Sequence, residues 1–187
     1  MAIKIYIDQG HNPLNPNAGA EGNGLREQDI VYAVGQELAT RLRANPAFEV
    51  RLSRPTPETQ IGSSNSESLR LRVADANAWG ADYFISLHTN ASSIPAATGS
   101  EAFAYSEPSA AFSLGEDILY WLNRTTGLRN RGMKVRSGLY VLRRTAMPAV
   151  LVELGFITNQ SDATLMSERP DLFADGIYRG IVEYTGG

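Results

Sequence analysis

Two histidines and two acidic residues occupy positions from which they could act together. His11 and His88 are the only histidines in the 187-residue chain. His11 follows Ile3-Lys4-Ile5-Tyr6-Ile7-Asp8 through the turn Gln9-Gly10, and His88 follows Ala81-Asp82-Tyr83-Phe84-Ile85-Ser86-Leu87. Both runs have strand character, and Gly10 is read as supplying the bend that delivers His11. Glu153 ends the wholly apolar run Ala149-Val150-Leu151-Val152. Glu27 precedes Val31, Val34, Leu38 and Leu42 by 4, 7, 11 and 15 positions, which puts it on the inward face of an amphipathic helix. A carboxylate there needs a partner, because an unpaired buried charge is costly. A place in the first helical turn, complementing the helix dipole, is the plainer alternative. Two imidazoles and one carboxylate suit a zinc ion and leave a coordination position open for water. The fourth group is then available as a base. The four residues lie 16, 61 and 65 positions apart. No short motif such as H-E-x-x-H brings them together, so the fold has to. Taken singly, a histidine at a strand end is more often a hydrogen-bonded structural residue; the joint pattern points to a site.

The elements that must position these groups alternate between strand and helix. After a loop over 12–24, the spacing predicts a helix from about Leu25 to Ala44 and a strand over Phe48–Leu52. Ser64-Asn65-Ser66-Glu67 fits a capping box opening a second helix, with Gly80 as its terminator. A strand over 101–105 and a helix over 108–123 follow. Residues 129–134 read as a basic loop, either a solvated surface or a rim that meets substrate. Leu139-Tyr140-Val141-Leu142 reads as a short strand. Asn159 caps a helix through Met166, and Pro170 opens the last one. The expected fold class is α/β: a twisted, mostly parallel central sheet of about six strands, with helices on both faces, in a single domain over 1–187. Ligands collect at the C-terminal edge of such a sheet, where both histidines fall.

Composition narrows the partners. A hydrophobic share of 43%, a charged share of 20% and a net charge of −3 describe an ordinary globular chain. With pI about 5.4, nothing favours nucleic acid or an anionic membrane. No cysteine is present, so disulfides, thiolate metal sites and cysteine nucleophiles are excluded. No apolar run approaches the ~20 residues of a membrane span. No signal-peptide pattern precedes the first strand. The expectation is a chain that is cytosolic before release, or a catalytic domain cut from a longer parent that carries a cell-wall binding domain.

Four stretches together resemble the zinc-dependent N-acetylmuramoyl-L-alanine amidases of the amidase-3 family, which includes bacterial autolysins and phage endolysins. They are Ile7–His11, Leu25–Glu27, Asn77–Ala91 and Met147–Asn159. The resemblance runs from Ile3 to about Tyr184. It implies that His11, Glu27 and His88 bind one Zn2+, that Glu153 is the catalytic carboxylate, and that the substrate is peptidoglycan. The bond cleaved would join the lactyl group of N-acetylmuramic acid to the first L-alanine of the stem peptide, at the cell wall. Asn12 stands where many members have a second glycine. Asn90 is either a ligand-orienting or substrate-touching residue or a loop cap. Arg72 matches a basic position common in the family, and a structural ion pair is its expected role. The rival readings are a non-catalytic wall-binding module, a peptidase acting within the stem, and a metal-free protein with structural histidines.

Overall fold

The computed structural model describes residues 2–187. The strands are β1 (Ile3–Gln9), β2 (Glu21–Gly22), β3 (Leu25–Arg26), β4 (Phe48–Leu52), β5 (Tyr83–Asn90), β6 (Ser100–Ala104), β7 (Asn130–Val135) and β8 (Ala149–Phe156). Six of them form one sheet in the order β4-β1-β5-β8-β6-β7, and β2 and β3 make a separate two-stranded ribbon. All neighbours in the large sheet run parallel except β6 and β8. The helices are α1 (Glu27–Arg43), α2 (Asn65–Trp79), α3 (Ala110–Thr126), α4 (Tyr140–Arg144), α5 (Gln160–Glu168) and α6 (Pro170–Thr185).

Strand periodicity divides the core in two. Successive side chains on a strand point to opposite faces. Ile5, Ile7, Ile85, Leu87, Val150, Val152 and Leu154 pack with α1, α3 and α6 in the larger cluster. Tyr6, Phe84, Leu151 and Phe103, from the intervening positions, pack with α2 and α4 in a smaller one. Asp8, Ser86, His88, Glu153 and Glu101 continue that second set of positions toward one end of the sheet. The apolar residues thus fill the lower part of this face and leave its upper end polar.

Local signals explain most boundaries. Ser64 Oγ accepts the Glu67 amide at 3.1 Å, and Gly80 ends α2 in the left-handed conformation. The reciprocal bond of the expected box goes elsewhere: the Glu67 carboxylate takes the Ser63 amide and hydroxyl. Asn159 Oδ1 accepts the amides of Ser161 and Asp162 at the start of α5.

Two stretches differ from expectation. Residues 139–142 lie largely in the short helix α4, which seats Val141 and Leu142 in the smaller core. A four-residue apolar run does not distinguish helix from strand by period. The basic stretch over 129–134 is largely the edge strand β7. Its polar side chains suit an edge, where charge discourages pairing with another chain. Strands β5 and β8 also continue two and three residues past His88 and Glu153. Strand β2 lies in the expected 12–24 loop, and β3 takes Leu25–Arg26, where the first helix was expected to begin.

Helices α3 and α6 pack closely at Gly180. A Cβ there would lie 2.5 Å from Ile118 Cα, backbone that has nowhere to retreat. Gly180→Ala is therefore expected to destabilise the protein by about 1–3 kcal/mol through overpacking, despite alanine's better helix propensity. Urea unfolding followed by circular dichroism measures this.

Candidate metal centre

The centre begins with a strained turn. Gly10 donates its amide to Leu87 O at 3.0 Å, which ties the end of β1 to β5. The left-handed residue is His11 itself, at φ +65°, rather than Gly10. Histidine tolerates that region better than most side chains, but at a cost. Gly10 is needed for space: a Cβ would lie 2.5 Å from His88 Cε1 and 2.6 Å from Leu87 O. The expected bend is present, but the conformational burden sits one residue later.

Arg72 on α2 holds this turn. It is 1% exposed and pairs with Asp8, also 1% exposed, at 2.7 Å. Its guanidinium also donates to Gln9 O at 2.7 Å, to His11 O, and to Asn12 Oδ1 at 3.2 Å. Ser86 Oγ donates to the second Asp8 oxygen at 2.8 Å. Burial opposes ionisation of Asp8, but the charge and hydrogen bond of Arg72 outweigh it and hold the carboxyl below its usual range. The expected structural ion pair at Arg72 is present, and it also fixes backbone beside His11. Asn12, wholly buried, donates to Pro16 O and Ile61 O at 2.9 Å and accepts the Ile61 amide at 3.1 Å.

Glu27 reaches the same place from the other core. It is the first residue of α1, on the larger-core face, and is 3% exposed. Its Oε2 accepts the Ala20 amide at 2.9 Å and its Oε1 the Thr89 amide at 2.9 Å. His11 Nε2 and His88 Nδ1 each lie 3.1 Å from the same Oε1. The imidazole rings stand edge to face with centroids 4.9 Å apart. One ligand atom from each of His11, Glu27 and His88 falls within 4.8 Å of the others. Burial works against the Glu27 charge, but its bonds from His11 and His88 prevail and hold it well below the usual carboxylate range. Burial likewise opposes protonation of His88, and the Glu27 contact overcomes this and raises it.

Glu153 is the in-register partner of His88 on the next strand. Its Oε2 is buried without a hydrogen-bond partner, as is His11 Nδ1. Burial pushes its carboxyl up to about 7; His88 opposes this, while Glu27 and Glu101 add to it. The fold thus brings all four expected groups together at one end of the sheet. Asn90 lies beyond them and donates from Nδ2 to Glu101 Oε1 at 2.6 Å, while its Oδ1 accepts the Ala91 amide. Glu101 was not anticipated. A lone charge in the otherwise small and apolar Ser100–Ala104 strand was the available sign.

The donor set fits a divalent cation. Two neutral imidazoles and a carboxylate suit zinc, and Glu153 beside them has a buried oxygen with no hydrogen-bond partner.

Comparison with known proteins agrees with the geometry. A family model described as N-acetylmuramoyl-L-alanine amidase matches residues 5–183. The chain belongs to this family, amidase-3. It is 38% identical over 184 residues to the uncharacterized protein YqiI of Bacillus subtilis, covering 96% of this chain and 84% of that one. It is 37% identical to the N-acetylmuramoyl-L-alanine amidase LytC of the same organism, covering 96% of this chain but only 35% of LytC. The crystal structure of an N-acetylmuramoyl-L-alanine amidase from Clostridium difficile 630 superposes with a TM-score of 0.89 at 29% identity, covering 100% of this chain and 98% of that one. The amidase-3 chain is an enzyme of the peptidoglycan-hydrolase class.

Arg72→Met should destabilise the fold by about 3–5 kcal/mol, because it strands the Asp8 charge. Adding Asp8→Asn should restore part of that loss, and the coupling is read from a double-mutant cycle of unfolding free energies.

Proposed function

We propose that this chain is a zinc-dependent hydrolase of the bond between the lactyl carbonyl of N-acetylmuramic acid and the stem-peptide L-alanine. One observation carries the reading. The three ligand atoms of His11, Glu27 and His88 converge within 4.8 Å, and Glu153 lies in register beside His88 with a buried oxygen unpaired.

His11, Glu27 and His88 hold the ion. Zinc bound there supplies a Lewis acid for the scissile carbonyl and lowers the pKa of water toward ~7. The Ala20 and Thr89 amides fix the Glu27 carboxylate, so both imidazoles meet a rigid partner. Glu153 removes a proton from the attacking water and delivers it to the alanine nitrogen as the C–N bond breaks. Its raised proton affinity suits a group that must both take and return a proton near neutral pH. The products are a free lactyl carboxylate and a new alanine N-terminus. Asn90, held by Glu101, lies two residues beyond His88 on β5 and is a candidate substrate contact.

Residues 1–187 act as one catalytic unit on peptidoglycan, at the cell wall. The 35% coverage of LytC is compatible with a wall-binding domain in a longer parent. Among the described residues, no helix is long and apolar enough to cross a membrane.

Glu153→Gln should keep one zinc per chain and lose at least about a thousandfold in hydrolysis, a general acid–base effect. Persistent turnover of purified peptidoglycan would remove Glu153 from its role. His11→Ala and His88→Ala should each lose bound zinc after gel filtration, measured by elemental analysis. Mass spectrometry of digested walls decides the bond: cleavage between amino acids instead would make the enzyme a stem peptidase.

A further inference from the structure

The polar face continues past the proposed base. Glu101 on β6 lies opposite Glu153 on β8 and is 5% exposed. Besides Asn90, its carboxylate accepts from Arg131 Nε at 3.4 Å and from Lys134 Nζ. Arg131 and Lys134 are three residues apart on β7, and on a regular strand such residues face opposite sides. Here the ladder slips. Between Ser100↔Asn130 and Ala102↔Met133, β6 advances two residues while β7 advances three. The extra residue makes a bulge at Gly132, whose φ of +85° favours glycine. The bulge turns both cations onto one carboxylate.

Two positive charges against one negative leave the cluster around Glu101 net positive. The Lys134 side chain is 46% exposed and that of Arg131 is 30% exposed. Arg131 spends Nε on Glu101 and Nη1 on Thr98 O, and its Nη2 makes no hydrogen bond among the described residues. Glu101 therefore orders the two cations without consuming their capacity to donate.

We propose that Arg131 and Lys134, held by Glu101, receive a carboxylate of the stem peptide on the leaving-group side of the scissile amide. This rests on the amidase reading above and adds a direction and a specificity to it. Strands lie about 4.8 Å apart, so β7 stands roughly 10 Å from β8. One to two residues of extended chain, about 3.5 Å each, with hydrogen bonds of about 3 Å at the ends, span that gap. The ligand is an acidic residue directly after the alanine, with a free carboxylate. Its carboxamide counterpart has the same shape and lacks the charge that the cluster selects.

The test uses the zinc-loaded protein and two synthetic muramoyl peptides that differ only in this group, carboxylate or carboxamide. The wild type should favour the carboxylate about tenfold in kcat/KM, chiefly through KM. In Arg131→Gln/Lys134→Gln the preference should fall to about unity, and in Lys134→Gln it should fall part of the way. Equal rates for both peptides in the wild type would overturn the proposal, and so would an undiminished preference in a folded variant. The wild-type comparison stands even if the double variant, which leaves Glu101 without its cations, does not fold. Cleavage of neither peptide by the wild type is a different failure, because it would remove the amidase reading itself.

Discussion

The site depends on the buried contact between Arg72 and the end of β1. One guanidinium, almost wholly buried, neutralises Asp8. It also satisfies backbone carbonyls of Gln9 and His11 in a turn that would otherwise leave them unpaired. A left-handed histidine is a poor conformation to leave unsupported. The support comes from α2, an element that contributes no proposed ligand. An ion pair this buried is an expensive device, and its net contribution to stability is small or even unfavourable. Its return is a fixed position for His11.

The second organising constraint is the alternation of the strands. The same parity that sends Tyr6, Phe84, Leu151 and Phe103 into the smaller core sends Asp8, His88, Glu153 and Glu101 to its upper end. A one-residue slip of β8 against β5 would bury Glu153 in the larger core and destroy both packing and chemistry together. Glu27 is the exception, arriving from a helix on the opposite face and meeting the imidazoles at the sheet edge. Core and centre are therefore built by one set of register choices.

Much of this was legible in the residues. Apolar runs ending in His11, His88 and Glu153 marked the edge, and the spacing of Val31, Val34, Leu38 and Leu42 turned Glu27 inward. The architecture followed from alternating elements. The illegible parts have physical causes. Nothing in Gly10-His11 says which residue adopts positive φ, because that depends on how close the His88 ring comes. The stretch Arg129–Lys134 looked like a loop because an edge strand needs no apolar periodicity. Arg72 was readable as a salt-bridge partner but not as a clamp on Gln9, His11 and Asn12, since such oxygen partners carry no sequence label. Glu101 was a single charge whose meaning depended on its neighbours across two strands.

Asn12 couples two loops that are distant along the chain. Its side chain bonds Ile61 in both directions, while its own amide donates to Asn17 O at 2.8 Å. The segment after His11 and the segment leading into α2 therefore share one anchor. Lengthening either by insertion would drag on the other, and on His11, which directly precedes Asn12. Variation in these two loops is expected to be inherited jointly, so a grafting experiment would have to transplant both as a matched pair.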